Sequence, residues 1–159
     1  MQENKRQEFK GIIINKILPI NSNDEKGFTY EWCKGLPGLQ TSIYIRNPTF
    51  LCGNHYHKGK DPSKNPERFF LIEGKTLLLA KNPANQMLEE IIEGGTELII
   101  YPNVLHELRP TTKIYFIEYR STPFNKENPD TYPAETYDDY LNFLKSNPPQ
   151  SQSLFLHQI

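Results

Sequence analysis

Residues 53–74 read GNHYHKGKDPSKNPERFFLIEG, and the fold of the whole chain follows from them. His55 and His57 stand one residue apart. A loop broken by Gly59, Pro62 and Pro66 follows, and then Glu67 heads an apolar run. In a strand, alternate side chains share a face, so His55 and His57 point one way and Tyr56 the other. Their Cα atoms would lie about 6.6 Å apart, so two rings can converge on one ion with bonds of about 2.1 Å. Glu67 shares its parity with Phe69 and Leu71. A carboxylate buried in such a run needs a partner, and a metal ion would supply one. The alternative is a strand end exposed to water beside Arg68.

On either side of this stretch the chain reads as short strands. Upstream, 9–18 and 39–47 are β-branched and strand-like. Between them, 21–27 and 36–38 read as turns, and 28–32 alternates aromatic with polar residues. Downstream, 68–74 and 75–82 predict a hairpin around Glu73-Gly74. The 87–95 stretch suits a short helix by spacing and a strand by position, and the strand is favoured. Strands over 96–102, 104–110 and 113–120 complete an antiparallel sandwich or barrel. Past a proline-marked loop at 121–133, Tyr137, Tyr140, Leu141 and Leu144 fall on one helical face within 134–145. Thr136 is the expected N-cap, with Asp139 as its partner, and the helix is expected to pack outside the sheet. The 146–153 stretch reads as flexible. Residues 154–159, LFLHQI, read as an edge strand or a dimer contact, with His157 incidental. This predicts a single domain over 1–159, with its core at 9–120 and loop, helix and tail at 121–159.

Composition agrees with this picture. The chain has 159 residues, a net charge of −1, 36% hydrophobic residues, nine Tyr and nine Phe. The charge balance makes no case for nucleic acid or an anionic membrane as partner. Thirteen Pro and nine Gly argue against a helical bundle. Cys33 and Cys52 form no CxxC and no disulfide framework, so they read as two reduced thiols. The N-terminus shows no apolar signal region, and no apolar run approaches the roughly 18 residues of a membrane span. A cytoplasmic protein is expected.

His106, in YPNVLHEL, is the third histidine on a strand-like segment. Its parity places it with Val104 and Leu108 on the apolar face, where a core histidine satisfied by a hydrogen bond is the plainer alternative. At this point the residues reach a family. The 53–74 stretch resembles the first cupin motif, HxH, a spacer, Glu, six residues, Gly, and Glu67 to Gly74 fits without adjustment. The stretch GTELIIYPNVLH, residues 95–106, resembles the second, G, five residues, P-x-G-x-x-H. The departures are a nine-residue spacer before Glu67 where three or four is usual, Thr49 at an expected Gly, Tyr101 at the Pro position, and Asn103 for the turn Gly.

The resemblance implies an all-β, cupin-type jelly-roll β-barrel with the short C-terminal helix outside, and a divalent metal held by His55, His57, Glu67 and His106. Three imidazoles and a carboxylate suit Zn, Fe, Mn, Ni or Cu, and a three-histidine site completed by water is the variant that the long spacer allows. The phrase GNHYHK is similar to cupin modules of bacterial polysaccharide and nucleotide-sugar enzymes, which isomerise or epimerise keto-sugars. That chemistry needs a base, and Tyr101 and Glu118 are the candidates. Two further readings are an Fe-type dioxygenase and a cupin that binds a small ligand or sugar without turnover. The expected partners are a small molecule and, across a sheet edge, a second copy in a homodimer.

Overall fold

The computed structural model describes residues 9–19, 29–33 and 35–147. The readings made for 21–27, for most of 146–153, and for 154–159 with His157 lie outside them. Among the described residues ten strands occur in chain order: β1 (Ile12–Lys16), β2 (Gln40–Arg46), β3 (Cys52–Tyr56), β4 (Glu67–Glu73), β5 (Lys75–Lys81), β6 (Met87–Glu93), β7 (Thr96–Ile100), β8 (Leu105–Pro110), β9 (Ile114–Arg120) and β10 (Tyr132–Pro133). The helix α1 (Tyr137–Ser146) follows a 3-10 turn at Ala134–Thr136. It is too short to cross a membrane, and no helix among the described residues is long and apolar enough to do so.

All pairings are antiparallel and fall into two five-stranded sheets, ordered β1-β7-β4-β9-β2 and β10-β3-β8-β5-β6. Leu71, Leu98, Ile100, Ile114 and Phe116 from the first sheet meet Leu78, Ala80, Ile92 and Leu108 from the second in one core. Each of these Leu, Ile and Phe side chains contributes about 1.5 to 3 kcal/mol through burial. The fold is the expected all-β jelly roll of the cupin type. One correction concerns closure: the sheets do not join into a barrel, because no ladder among the described residues links an edge of one to an edge of the other.

A second correction concerns Gly74. The strands flanking it do not form a hairpin. β4 pairs with β7 and β9, whereas β5 pairs with β6 and β8. Gly74 is therefore a one-residue corner between sheets. It has a φ of 95°, and a Cβ there would collide with the Lys113 carbonyl, so only glycine fits. The 87–95 run is a strand, hairpinned to β5. Residues 29–32 form no strand, but Tyr30 and Trp32 pack on the outward ring of Phe70.

Tyr56 faces away from the core, as expected from its parity, and joins Tyr137 and Leu141 in a second cluster that seats α1 on the outside of β3. Thr136 precedes the helix without capping it. Its hydroxyl donates to the Pro133 carbonyl at 2.8 Å, because the preceding 3-10 turn leaves it in helical rather than extended conformation.

Candidate metal centre

Four side chains from three strands and a strand end converge between the sheets. A donor atom from each of His55, His57, Glu67 and His106 lies within 4.8 Å of the others. Register explains the convergence. His55 stands directly across from His106 in the β3–β8 ladder, after a bulge at Gly53–Asn54, and their ring centroids are 4.8 Å apart. His57, just past β3, lies 4.8 Å from His55 and 5.4 Å from His106. Glu67, 1% exposed, opens β4 in the facing sheet.

Hydrogen bonds define what the rings present. His57 Nδ1 lies 2.7 Å from the Asp130 carbonyl, and His106 Nδ1 lies 3.0 Å from the Val104 carbonyl. A carbonyl only accepts, so Nδ1 carries the hydrogen in both rings. In a neutral ring Nε2 is then a bare lone pair. Both Nε2 atoms face Glu67 Oε2, at 3.2 and 3.3 Å, so lone pairs meet a carboxylate oxygen. A divalent ion among them would resolve the repulsion and would use the His55 ring as well. Ligands bound at about 2.1 Å in a tetrahedron stand about 3.4 Å apart, close to these spacings. The donor set therefore fits a transition metal, and carbonyls behind the rings are the usual support for metal-binding histidines.

The excursion between β3 and β4 carries its own chemistry. Asp130 accepts the backbone N–H groups of Lys58, Lys60 and Asp61 at 2.6 to 3.2 Å. Asp61 caps the 3-10 turn Pro62–Lys64 by accepting from the Ser63 N–H. Lys64, 7% exposed, turns inward. Its ammonium donates to Glu67 Oε1 and, at 2.7 Å, to Glu118 Oε1. Arg120 extends the chain, donating to Glu118 Oε1 at 3.1 Å and to Asp61 Oδ2 at 2.6 Å. Charge thus alternates from Asp61 through Arg120, Glu118 and Lys64 to Glu67.

These neighbours set the ionisation states. Burial alone would raise the Glu67 carboxyl, but the Lys64 ammonium beside it holds it well below the usual carboxylate range. Burial would lower the Lys64 ammonium, and Glu67 and Glu118 reverse that. Burial, with His106 and His57 nearby, pushes His55 down to about 3, leaving a neutral ring, the form that ligates.

A cavity of about 290 Å³ opens beside the cluster, lined among others by Tyr44, Arg46, Cys52, His55, His106 and Phe116. Glu118 faces inward and is 2% exposed, but it stands behind Tyr44, whose hydroxyl donates to Glu118 Oε2 at 2.7 Å. Tyr101 follows β7, partly buried, with its N–H on the Gly11 carbonyl, and it does not line the cavity. The structure thus gathers the four proposed ligands and Glu118 but leaves Tyr101 apart. Lys64 and Tyr44 escaped the sequence reading. A lysine three residues before Glu67 and a tyrosine on the parity of Ser42 and Arg46 were the available signals.

The family model for the polysaccharide biosynthesis C-terminal domain matches residues 22–132. The chain belongs to this family. No curated protein matches it. Among solved structures, a 3,4-ketoisomerase from Helicobacter canadensis aligns over 84% of this chain and 97% of its own, with a TM-score of 0.62 and 19% identity. A mutant of the QdtA 3,4-ketoisomerase from Thermoanaerobacterium thermosaccharolyticum, in complex with TDP-4-keto-6-deoxyglucose, covers 90% of this chain and 100% of its own, at 0.62 and 17%. The capsular polysaccharide assembling protein CapF from Staphylococcus aureus is similar over 77% of this chain but only 32% of its own, at 0.51 and 24%. At such identities the likeness of this polysaccharide biosynthesis domain to all three is one of fold.

Proposed function

We propose that this domain is a metal-dependent cupin enzyme that isomerises or epimerises a nucleotide-linked keto-sugar, with His55, His57, Glu67 and His106 as its metal ligands. The observation that carries the reading is the convergence of those four donors beside a cavity that Tyr44 also lines. Family membership and the sugar nucleotide bound by the QdtA mutant support the substrate class.

A bound divalent ion would supply Lewis-acid polarisation of a carbonyl oxygen. The remaining work falls to side chains. The cavity volume sits at the low end for small-molecule sites, so it takes a sugar ring and leaves the nucleotide outside. Arg46, on the cavity wall, offers a guanidinium to the anionic part of the substrate. Burial, and then the hydrogen bond and charge of Glu118, raise the Tyr44 phenol above its ordinary value, so it stays protonated until substrate is in place. Tyr44 then takes the proton from the carbon beside the carbonyl as its own passes to Glu118 Oε2. The reverse transfer returns a proton to the sugar. Lys64 and Arg120, both on Glu118 Oε1, leave Oε2 free as the acceptor.

The test is incubation of the metal-loaded protein with TDP-4-keto-6-deoxyglucose in deuterated water, followed by NMR. Deuterium should enter beside the carbonyl and stop entering when a chelator is added. No incorporation by loaded protein contradicts the proposal. Oxygen uptake with Fe(II) would point to a dioxygenase instead, and saturable binding without exchange to a sugar-binding module.

A further inference from the structure

Lys64 is the most deeply buried lysine among the described residues, and its burial is costly unless its charge does something in place. It belongs to the loop that lengthens the spacer between His57 and Glu67. That loop is held shut by Asp130 on three backbone N–H groups and by Asp61 on Ser63, Thr122 and Arg120. Its position is thus built into the fold. The ammonium occupies Glu67 Oε1, while Oε2 alone faces the imidazoles of His57 and His106.

We propose that Lys64 is a positioning residue that restricts Glu67 to one-oxygen ligation and weakens it as a donor, so that the site holds its metal less tightly and leaves a coordination position open for substrate. A carboxylate shared with an ammonium gives less charge to an ion, and an oxygen already hydrogen-bonded is not free to chelate. The nearby positive charge also opposes a second cation directly. The long spacer, an obstacle to Glu67 as a ligand when the motif is read alone, becomes the device that tunes it. The inference rests on the metal reading above.

The experiment compares wild type with Lys64→Met and Lys64→Arg in Co(II) affinity, measured by chelator competition, and in the visible Co(II) spectrum. Lys64→Met should bind Co(II) at least tenfold more tightly, with a spectrum shifted toward higher coordination as Glu67 becomes two-oxygen. Lys64→Arg, which keeps the charge, should return affinity and spectrum toward wild type. A purely structural lysine would lower thermal stability in Lys64→Met and leave spectrum and affinity unchanged or the affinity weaker, and that result overturns the inference while the metal reading stands. Wild type that binds no Co(II) overturns both. Should Lys64→Met fail to fold, the carboxylate infrared bands of wild-type protein loaded with Zn decide: one-oxygen splitting supports the proposal and two-oxygen splitting ends it.

Discussion

The β3–β8 ladder and the loop between β3 and β4 build one site by opposite means. In the ladder, period-two alternation and antiparallel register place His55 across from His106 with no help from other side chains. In the loop, the only regular hydrogen bonding is one 3-10 turn, and position is set by side chains: Asp130 and Asp61 gather backbone donors, and Arg120 anchors Asp61. The ladder supplies two of the imidazoles, and the loop supplies the ammonium that meets Glu67. A site of this kind needs both, because a strand fixes direction but cannot bring a cation to the far oxygen of a carboxylate.

Substitutions separate the two contributions. The largest effect is expected in the ladder. His106→Ala should lose metal binding by about a hundredfold or more, since outer-shell changes alone cost about 10- to 100-fold. Elemental analysis of protein dialysed against trace metal would show it, and full occupancy would remove His106 from the site. Next comes the cavity wall opposite. Tyr44→Phe should slow proton exchange by about 10² to 10⁴ while metal content stays at wild-type level. A variant that exchanges normally would return the proton-handling role to another group.

In the loop, Asp130→Ala strips the acceptor from three N–H groups and loosens the carbonyl that orients His57. It should cost about 2 to 3 kcal/mol in denaturant unfolding and weaken metal binding about tenfold. An unchanged midpoint would mean that the loop is held by something other than this aspartate.

The most gradual effect is on pH. In metal-free protein, His55 faces His57, His106, Glu67 and Lys64, and its folded value of about 3 lies far below the ordinary 6.5. The unfolded chain therefore takes up a proton that the folded one refuses, and stability should fall as pH drops from 6.5 toward 3. Glu67, depressed in the fold, adds to the same trend: its stabilisation is present above the ordinary carboxylate value and lost as pH falls through its folded value. Thermal melts across this range should shift steadily downward, and a Tm that holds level from pH 7 to 4 would contradict the assignment of a buried neutral ring.

The same division explains what could be read from the residues alone. The meeting of His55, His57, Glu67 and His106 was legible because strand periodicity and motif spacing act over a few residues, and the β-branched runs marked the strands for the same reason. Gly74 misled because a glycine between two strands serves a hairpin and an inter-sheet corner equally, and only the pairing of β4 with β7 and β9 tells them apart. Tyr44 was hidden by an inverted strand. β2 turns Ile43, 73% exposed, and Ile45 outward, and gives its polar face to the interior. Lys64 was hidden because its spacing from Glu67 does not say that it turns inward, and its other partner, Glu118, is 54 residues away.

The proposed site places a cation where three imidazoles and one carboxylate oxygen meet. Anomalous diffraction from crystals of the metal-loaded protein tests it directly. One peak should lie within bonding distance, about 2.1 Å, of His55, His57, His106 and Glu67 Oε2. Metal bound elsewhere on the chain, with these four side chains closed on one another and no peak between them, would contradict it.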